Sequence, residues 1–451
     1  MKAINFREKV MLSCMLVLIL FFMTVFVRLG TRLVLIKKLH WDNAVTQFVF
    51  LDRKDMQWIE NDSAEHHYVS IDWAAKYPFE EQSSISTAQR VKRTQQVIDA
   101  IREEKIVHWT TKHLVAYQWL VEAGRAVEGK IGWNIVNPDM EVYKLSDGYL
   151  TSVNRKYAQE SRADSISSFA AFVHSQGSEF LYIQSPGKTN PFADEELNGI
   201  DYSNANADAL LQGLRERNIA VYDLRSDLHE AVGDAGWHQA FFRTDHHWKP
   251  STALWAAQRV AEKLANDYGV DVNFAHFAPE DYEFVRYERY FLGSQGKKVT
   301  LANTEPDDFD VYYPKFSTHL YAKIPSRGVD GEGDFTILYD KAALGTGDFY
   351  NDSPYSMYGY GDQAEIIVHN YENENLRDKR ILLIHDSMLD TAMPFLVMGL
   401  KDLRELDIRH FKGSVQRYVK DYRPDIVLVM YKPNYNGFID WMGHSDEFDF
   451  R

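Results

Sequence analysis

A serine, an imidazole and a carboxylate brought into line can make or break an ester, and three residues of this 451-residue chain fit that description. Ser387 follows the apolar run RILLIHD (380–386), where a buried strand hands over to the next element. A hydroxyl at the start of a helix meets free backbone N–H groups and a dipole that favours developing negative charge. An ordinary capping serine would occupy the same kind of junction. A serine hydroxyl is a weak nucleophile and needs a base that is itself oriented by a third group. The stretch FFRTDHHWKP (241–250) offers both, because Asp245 can hold one nitrogen of His247 while the other faces a serine. Two other uses of these residues compete. His66, His67, His246, His247, His385, Asp245 and Asp386 could furnish a metal centre and hence a metal-dependent hydrolase, although His-Glu-x-x-His is absent. PGKT (186–189) lacks the upstream glycine of a phosphate-binding loop, since Tyr182 stands there.

The elements that must position these residues alternate regularly. SISSFAAFVHSQG (165–177) predicts a helix, EFLYIQSP (179–186) a buried strand, and NADALLQGLRERNI (206–219) a helix. AVYDLR (220–225) predicts a strand, and residues 250–269 a helix with Pro250 at its start and Gly269 at its end. The alternation resumes with the strand at 380–386, a helix over about 388–403, a strand LDIRHF (406–411), a helix SVQRYVKDY (414–422) and a strand DIVLVMY (425–431). Such a pattern predicts a three-layer α/β fold with a parallel sheet covered on both faces. Residues from about 270 to 375, rich in Tyr, Phe, Gly and Asp, predict a β-rich insertion. Ligands of such sheets bind beyond the carboxyl ends of the strands, which selects Asp386 and Ser387, residues 186–190, and residues 432–436.

Ahead of that domain, residues 10–27 form an uncharged run about long enough to cross a bilayer, with no cleavage site in view. Residues 1–38 are therefore expected to be a cytoplasmic tail and transmembrane signal anchor, 39–146 a helical membrane-proximal segment, and 147–451 the main domain. The only cysteine, Cys14, lies in the apolar run, so the rest of the chain can form no disulfide and no thiolate site. Seven basic residues and one acidic residue fall in 1–38, which leaves 43 basic against 64 acidic beyond them. That balance excludes nucleic acid as a partner.

TDHHW (244–248) before a helix, with a later strand ending in Asp386-Ser387, resembles the SGNH-like acyltransferases of the alginate O-acetyltransferase type. It is most similar to the bacterial cell-envelope family named DHHW after the tetrapeptide. The likeness extends over about 147–436 and includes DGYL, LYIQSPGKTN, VYDLR, FLGSQGKK and YYPKFST. The resemblance implies an SGNH-like, flavodoxin-like fold with Ser387 as nucleophile, His247 as general base and Asp245 as its orienting carboxylate. His246 is then a spacer, and Trp248 packs beneath the site. The family's serine usually follows Gly-Asp, where this chain has His385-Asp386. The Ser387 N–H is the first candidate to bind an oxyanion, with Asn190, Asn434 and Asn436 available at strand ends. Trp248, Asn434 and Lys188 are candidate substrate contacts, and Tyr312, Tyr313 and Tyr321 could stack on sugar rings. Together these imply a single-pass membrane protein whose extracytoplasmic domain is a serine O-acetyltransferase, or acetylesterase, acting on cell-wall or exported polysaccharide without metal or cofactor. A membrane acyltransferase would supply the acetyl donor. The competing readings are a non-catalytic envelope glycan-binding protein and the metal-dependent hydrolase.

Overall fold

The computed structural model describes residues 142–433 and 448–451, together with 123, 124 and 126. The expected membrane segment, most of 39–146, and Asn434 and Asn436 lie outside the described residues. Among the described residues no helix is long and apolar enough to cross a membrane.

The centre of the molecule is an eight-stranded sheet. Five of its strands are mutually parallel, in the spatial order β4 (Val221–Asp223), β3 (Glu179–Gln184), β12 (Ile426–Tyr431), β10 (Ile381–His385) and β11 (Asp402–Leu406). Along β3, β10 and β12 both faces are apolar. Leu181, Ile183, Ile381, Leu383, Leu428 and Met430 join the core on one face, with α3 (Leu224–Trp237) and α4 (Pro250–Tyr268). Phe180, Tyr182, Leu382, Ile384, Val427 and Val429 join the core on the other, against α1 (Glu160–Ser175), α2 (Ser203–Glu216) and α7 (Val415–Tyr422). Double coverage is why these segments read as continuous apolar runs rather than alternating ones.

The predicted insertion is β-rich, but it is not simply appended. A ribbon of β5 (Tyr282–Phe291) and β6 (Asp307–Pro314) forms a separate antiparallel pair. The strands β9 (Glu365–Asn370), β7 (Leu320–Ile324) and β8 (Val329–Gly333) instead continue the main sheet beyond β11 in antiparallel fashion. Only one face of this extension is buried: Leu320, Ala322, Ile324, Ile366 and Val368 enter the core, while Tyr321, Lys323, Ile367 and His369 are half-exposed. Tyr312 is also core, so packing accounts for it, whereas Tyr321 donates to Asp330 at the surface.

Two expectations fail between β10 and α7. In place of a helix over 388–403 there is a buried turn, one short helix, α6 (Met393–Leu396), and then β11. The sheet strand is therefore 402–406, and all of LDIRHF after Leu406 lies beyond it. The whole stretch 381–400 is buried, so its apolar residues carry no periodicity, and Pro394, in the first turn of α6, bars a helix from running through from 388. Ser387 accordingly starts no long helix.

Leu383 lies at the centre of β10, fully buried four residues before Ser387. Leu383→Ala is expected to destabilise the domain by about 2–5 kcal/mol, read from chemical denaturation, because the crowded sheet interior cannot collapse around the lost volume.

Candidate active site

The loop carrying Asp245 is closed by backbone pairing: the Phe242 N–H donates to the His247 carbonyl and the Lys249 N–H to the Ala240 carbonyl. Its tip is gripped by the insertion. Asp307, at the start of β6, accepts from the backbone N–H groups of Arg243 and Thr244, each at 2.8 Å, and from the Thr244 hydroxyl at 2.6 Å. From the other side, α5 (Ser294–Val299) presents its first N–H groups. The Ser294 N–H donates to Asp245 Oδ2 at 2.6 Å and the Gly296 N–H to the Thr244 carbonyl at 2.7 Å. Gly293 lies so close that a Cβ there would sit 2.2 Å from that of Asp245. Only glycine permits this approach.

His247 bridges the loop and the sheet. Its Nδ1 lies 2.5 Å from Asp245 Oδ1, and its Nε2 lies 2.8 Å from Ser387 Oγ. An ionised carboxylate can only accept, so the proton sits on Nδ1 and Nε2 is left to accept from the serine hydroxyl. The Tyr355 ring stacks on the imidazole with centroids 3.8 Å apart and planes 14° apart. The Tyr355 hydroxyl donates to the Ser387 carbonyl at 2.9 Å, so one side chain braces both base and serine. Ser387 retains 6% of its surface and His247 7%.

Burial sets the protonation states. It holds His247 below its ordinary value despite the opposing pull of Asp245, so the imidazole is neutral near pH 7. Burial alone would raise the Asp245 carboxyl. The His246 and His247 rings, with the Ser294 amide, outweigh it and hold the group well below the usual range.

Asp386 ties the serine to the sheet, its carboxylate accepting from the Met388 N–H at 2.9 Å and from the Lys432 N–H at the end of β12 at 2.7 Å. The other expected residues fare differently. Lys188 is not a substrate contact: its buried ammonium, pushed down to about 7 by burial, donates to the Leu150 and Arg243 carbonyls and to Gln295 Oε1. Trp248 is fully buried in the core and has no face to offer a sugar, so its part is packing beneath the site. The Asn190 side chain is committed to Asp234 and the Phe192 N–H. His246 is half-buried, its Nδ1 3.1 Å from Ser294 Oγ. Sequence reasoning missed Tyr355, Gly293, Ser294 and Asp307. Only FLGSQGKK, singled out by resemblance, marked any of them.

Asp245, His246 and His247 lie close enough to hold a metal ion, as do Asp362, Asp407 and His410. In the first group the Asp245 oxygens and both His247 nitrogens already bond to protein. In the second, the Arg409 guanidinium pairs with Asp362 and Asp407 and supplies the positive charge itself.

A parallel sheet with a serine at the end of one strand and a His-Asp pair on a neighbouring loop is the arrangement of an SGNH-like α/β fold. Residues 145–290 match the family model described as SGNH hydrolase-like domain, acetyltransferase AlgX, a stretch that holds Asp245 and His247 and stops short of Ser387. Among solved structures the chain is similar to Bacillus cereus PatB1 with a sulfonyl adduct, at 20% identity and TM-score 0.54, covering 69% of this chain and 98% of that one. It is also similar to a DHHW family protein from Eubacterium siraeum, at 17% identity and TM-score 0.51, covering 66% and 92% respectively. No curated protein matches by sequence.

Gly293→Ala tests the grip on the carboxylate. The added methyl must displace Asp245, and turnover of an activated acetyl ester is expected to fall about 100-fold, the scale of a 1 Å misplacement. Secondary structure, read by circular dichroism, should remain.

Proposed function

We propose that this chain is a membrane-tethered, extracytoplasmic serine O-acetyltransferase that acetylates a cell-wall or exported polysaccharide. The observation that carries the reading is the unbroken line from Ser387 Oγ through His247 to Asp245. His247 Nε2 takes the hydroxyl proton as Ser387 Oγ attacks the acetyl carbonyl, and Asp245 stabilises the imidazolium so formed. The Ser387 N–H binds the oxyanion. Collapse of the adduct expels the donor's leaving group, which receives the proton from His247, and leaves an acetyl ester on Ser387. A glycan hydroxyl then attacks that ester, gives its proton to His247, and departs acetylated as Ser387 is reprotonated. Water in place of the glycan gives the esterase reaction.

The apolar run at 10–27, and the absence of thiols beyond it, support tethering outside the cytoplasm. An acetyl donor there calls for a membrane acyltransferase as partner.

Intact-mass spectrometry of the full chain after exposure to an activated acetyl ester is expected to show one acetyl adduct. Ser387→Ala should abolish it, and His247→Ala should slow it by about 10⁴-fold or more. Glycan binding with no adduct or turnover in the wild type would favour the binding-protein reading instead.

The pH profile follows from the direction of the His247 shift. The base works only when neutral, and a lowered pKa keeps it neutral further into acid. The kcat/KM for ester hydrolysis should therefore fall on the acid side with a midpoint below 6.5. A midpoint above 6.5 would contradict the assignment.

A further inference from the structure

His385 ends β10 and replaces the glycine that usually precedes Asp-Ser in the family this chain resembles. It is no bystander filling space. Its side chain is 2% exposed, and its Nδ1 lies 2.7 Å from the carbonyl oxygen of Asp386. A carbonyl only accepts, so Nδ1 carries a proton and donates it. On the far side, Nε2 lies 3.3 Å from Glu405 Oε2 on the adjacent strand β11, and both groups are buried. Neither atom has a hydrogen bond of good geometry to anything else, so the contact is one of charge. Burial opposes the imidazolium, but Glu405, together with Asp390 and Asp407, outweighs it and raises His385 to about 10, which protonates both ring nitrogens near neutral pH.

The Asp386 carbonyl belongs to the same peptide group as the Ser387 N–H. A trans peptide is planar, with its C=O and N–H pointing in opposite directions, so a donor that fixes the oxygen also fixes the direction of the N–H. No cis peptide interrupts the described chain. The same oxygen also accepts from the Leu389 N–H at 3.1 Å, so two donors hold it. Hydrogen bonds to the oxygen also polarise the amide and strengthen its N–H as a donor, more so when the partner is charged. Among the described residues nothing accepts the Ser387 N–H.

We infer that His385, held by Glu405, is a positioning residue that locks and polarises the Asp386–Ser387 peptide so that the Ser387 N–H is aimed at the oxyanion of the reacting acetyl group. The inference rests on the reading of Ser387 as nucleophile. Buried imidazolium and carboxylate thus perform at this turn what tight glycine geometry performs elsewhere, by pinning the peptide through its oxygen.

Removing one member of a buried ion pair strands the other, so the test changes both. In the full chain, His385→Asn/Glu405→Gln keeps an uncharged donor near the Nδ1 position, whereas His385→Leu/Glu405→Gln fills the space without one. The Asn version is expected to keep kcat for an activated acetyl ester within a few-fold of wild type. The Leu version should lose about 10- to 100-fold in kcat with KM unchanged, less than the loss of an oxyanion donor outright. The carbonyl stretch of the acetyl ester trapped on Ser387 adds a readout that a merely structural role would not move. It should rise in frequency in the Leu version, as the hydrogen bond to the ester oxygen weakens, and stay near wild type in the Asn version. If the Leu version does not fold, His385→Gln/Glu405→Gln, whose amide overreaches the Asp386 oxygen, is expected to show the same loss. Wild-type kcat and stretching frequency in the Leu version, or in the Gln version where the Leu version does not fold, would overturn the inference while leaving Ser387 in place. A fully active Ser387→Ala control would overturn the reading beneath it.

Discussion

Asp245 must stay ionised in surroundings that favour its neutral form. In the proposed reaction, loss of that charge would cost His247 its tautomer and its partner as an imidazolium, and Ser387 its base. The loop architecture answers this requirement. The Ser294 amide and two imidazoles supply the stabilisation that water would otherwise provide, Gly293 lets the backbone of α5 close on the carboxylate, and Asp307 holds the two preceding residues. Lys188, beneath, ties the same loop to β2 (Leu150–Ser152) through the Arg243 and Leu150 carbonyls.

The sheet supplies the other half of the alignment. His247 and Ser387 are 140 residues apart in the chain, yet meet because the serine stands at the carboxyl end of a central parallel strand and the loop folds over that end. Asp386 locks this end laterally by accepting from the β12 backbone at Lys432. Tyr355 then closes the assembly, touching the imidazole with its ring and the serine's carbonyl with its hydroxyl.

Much of this was legible in the residues themselves. The parallel strands announce themselves because burial on both faces leaves long apolar runs, and α4 because proline and glycine mark its ends. Ser387 was a candidate by its place after a buried strand, and the resemblance carried by TDHHW and Asp386-Ser387 joined it to His247 and Asp245. What stayed hidden falls into two kinds. The helix expected at 388–403 fails because a segment buried on every side has no period to read. Tyr355 and Asp307 were invisible, and Gly293 was marked only by resemblance, because their contribution is contact across 30 to more than 100 residues of sequence, and nothing local distinguishes them from any other tyrosine, aspartate or glycine. Lys188 misled for the opposite reason: its place after a strand suggests a ligand contact, but its ammonium is consumed by the protein's own carbonyls.

The grip of β6 and α5 on the Asp245 loop bears on how such enzymes can diversify. A long excursion from a sheet is often treated as a detachable module, free to be exchanged while the scaffold keeps the chemistry. Here the first part of the excursion, up to Asp307, is wired into the acid-base machinery, and its last strands are bonded into the sheet itself. Between the two, Tyr355 braces both His247 and the Ser387 carbonyl. Exchanging the excursion whole would remove the supports that keep Asp245 charged.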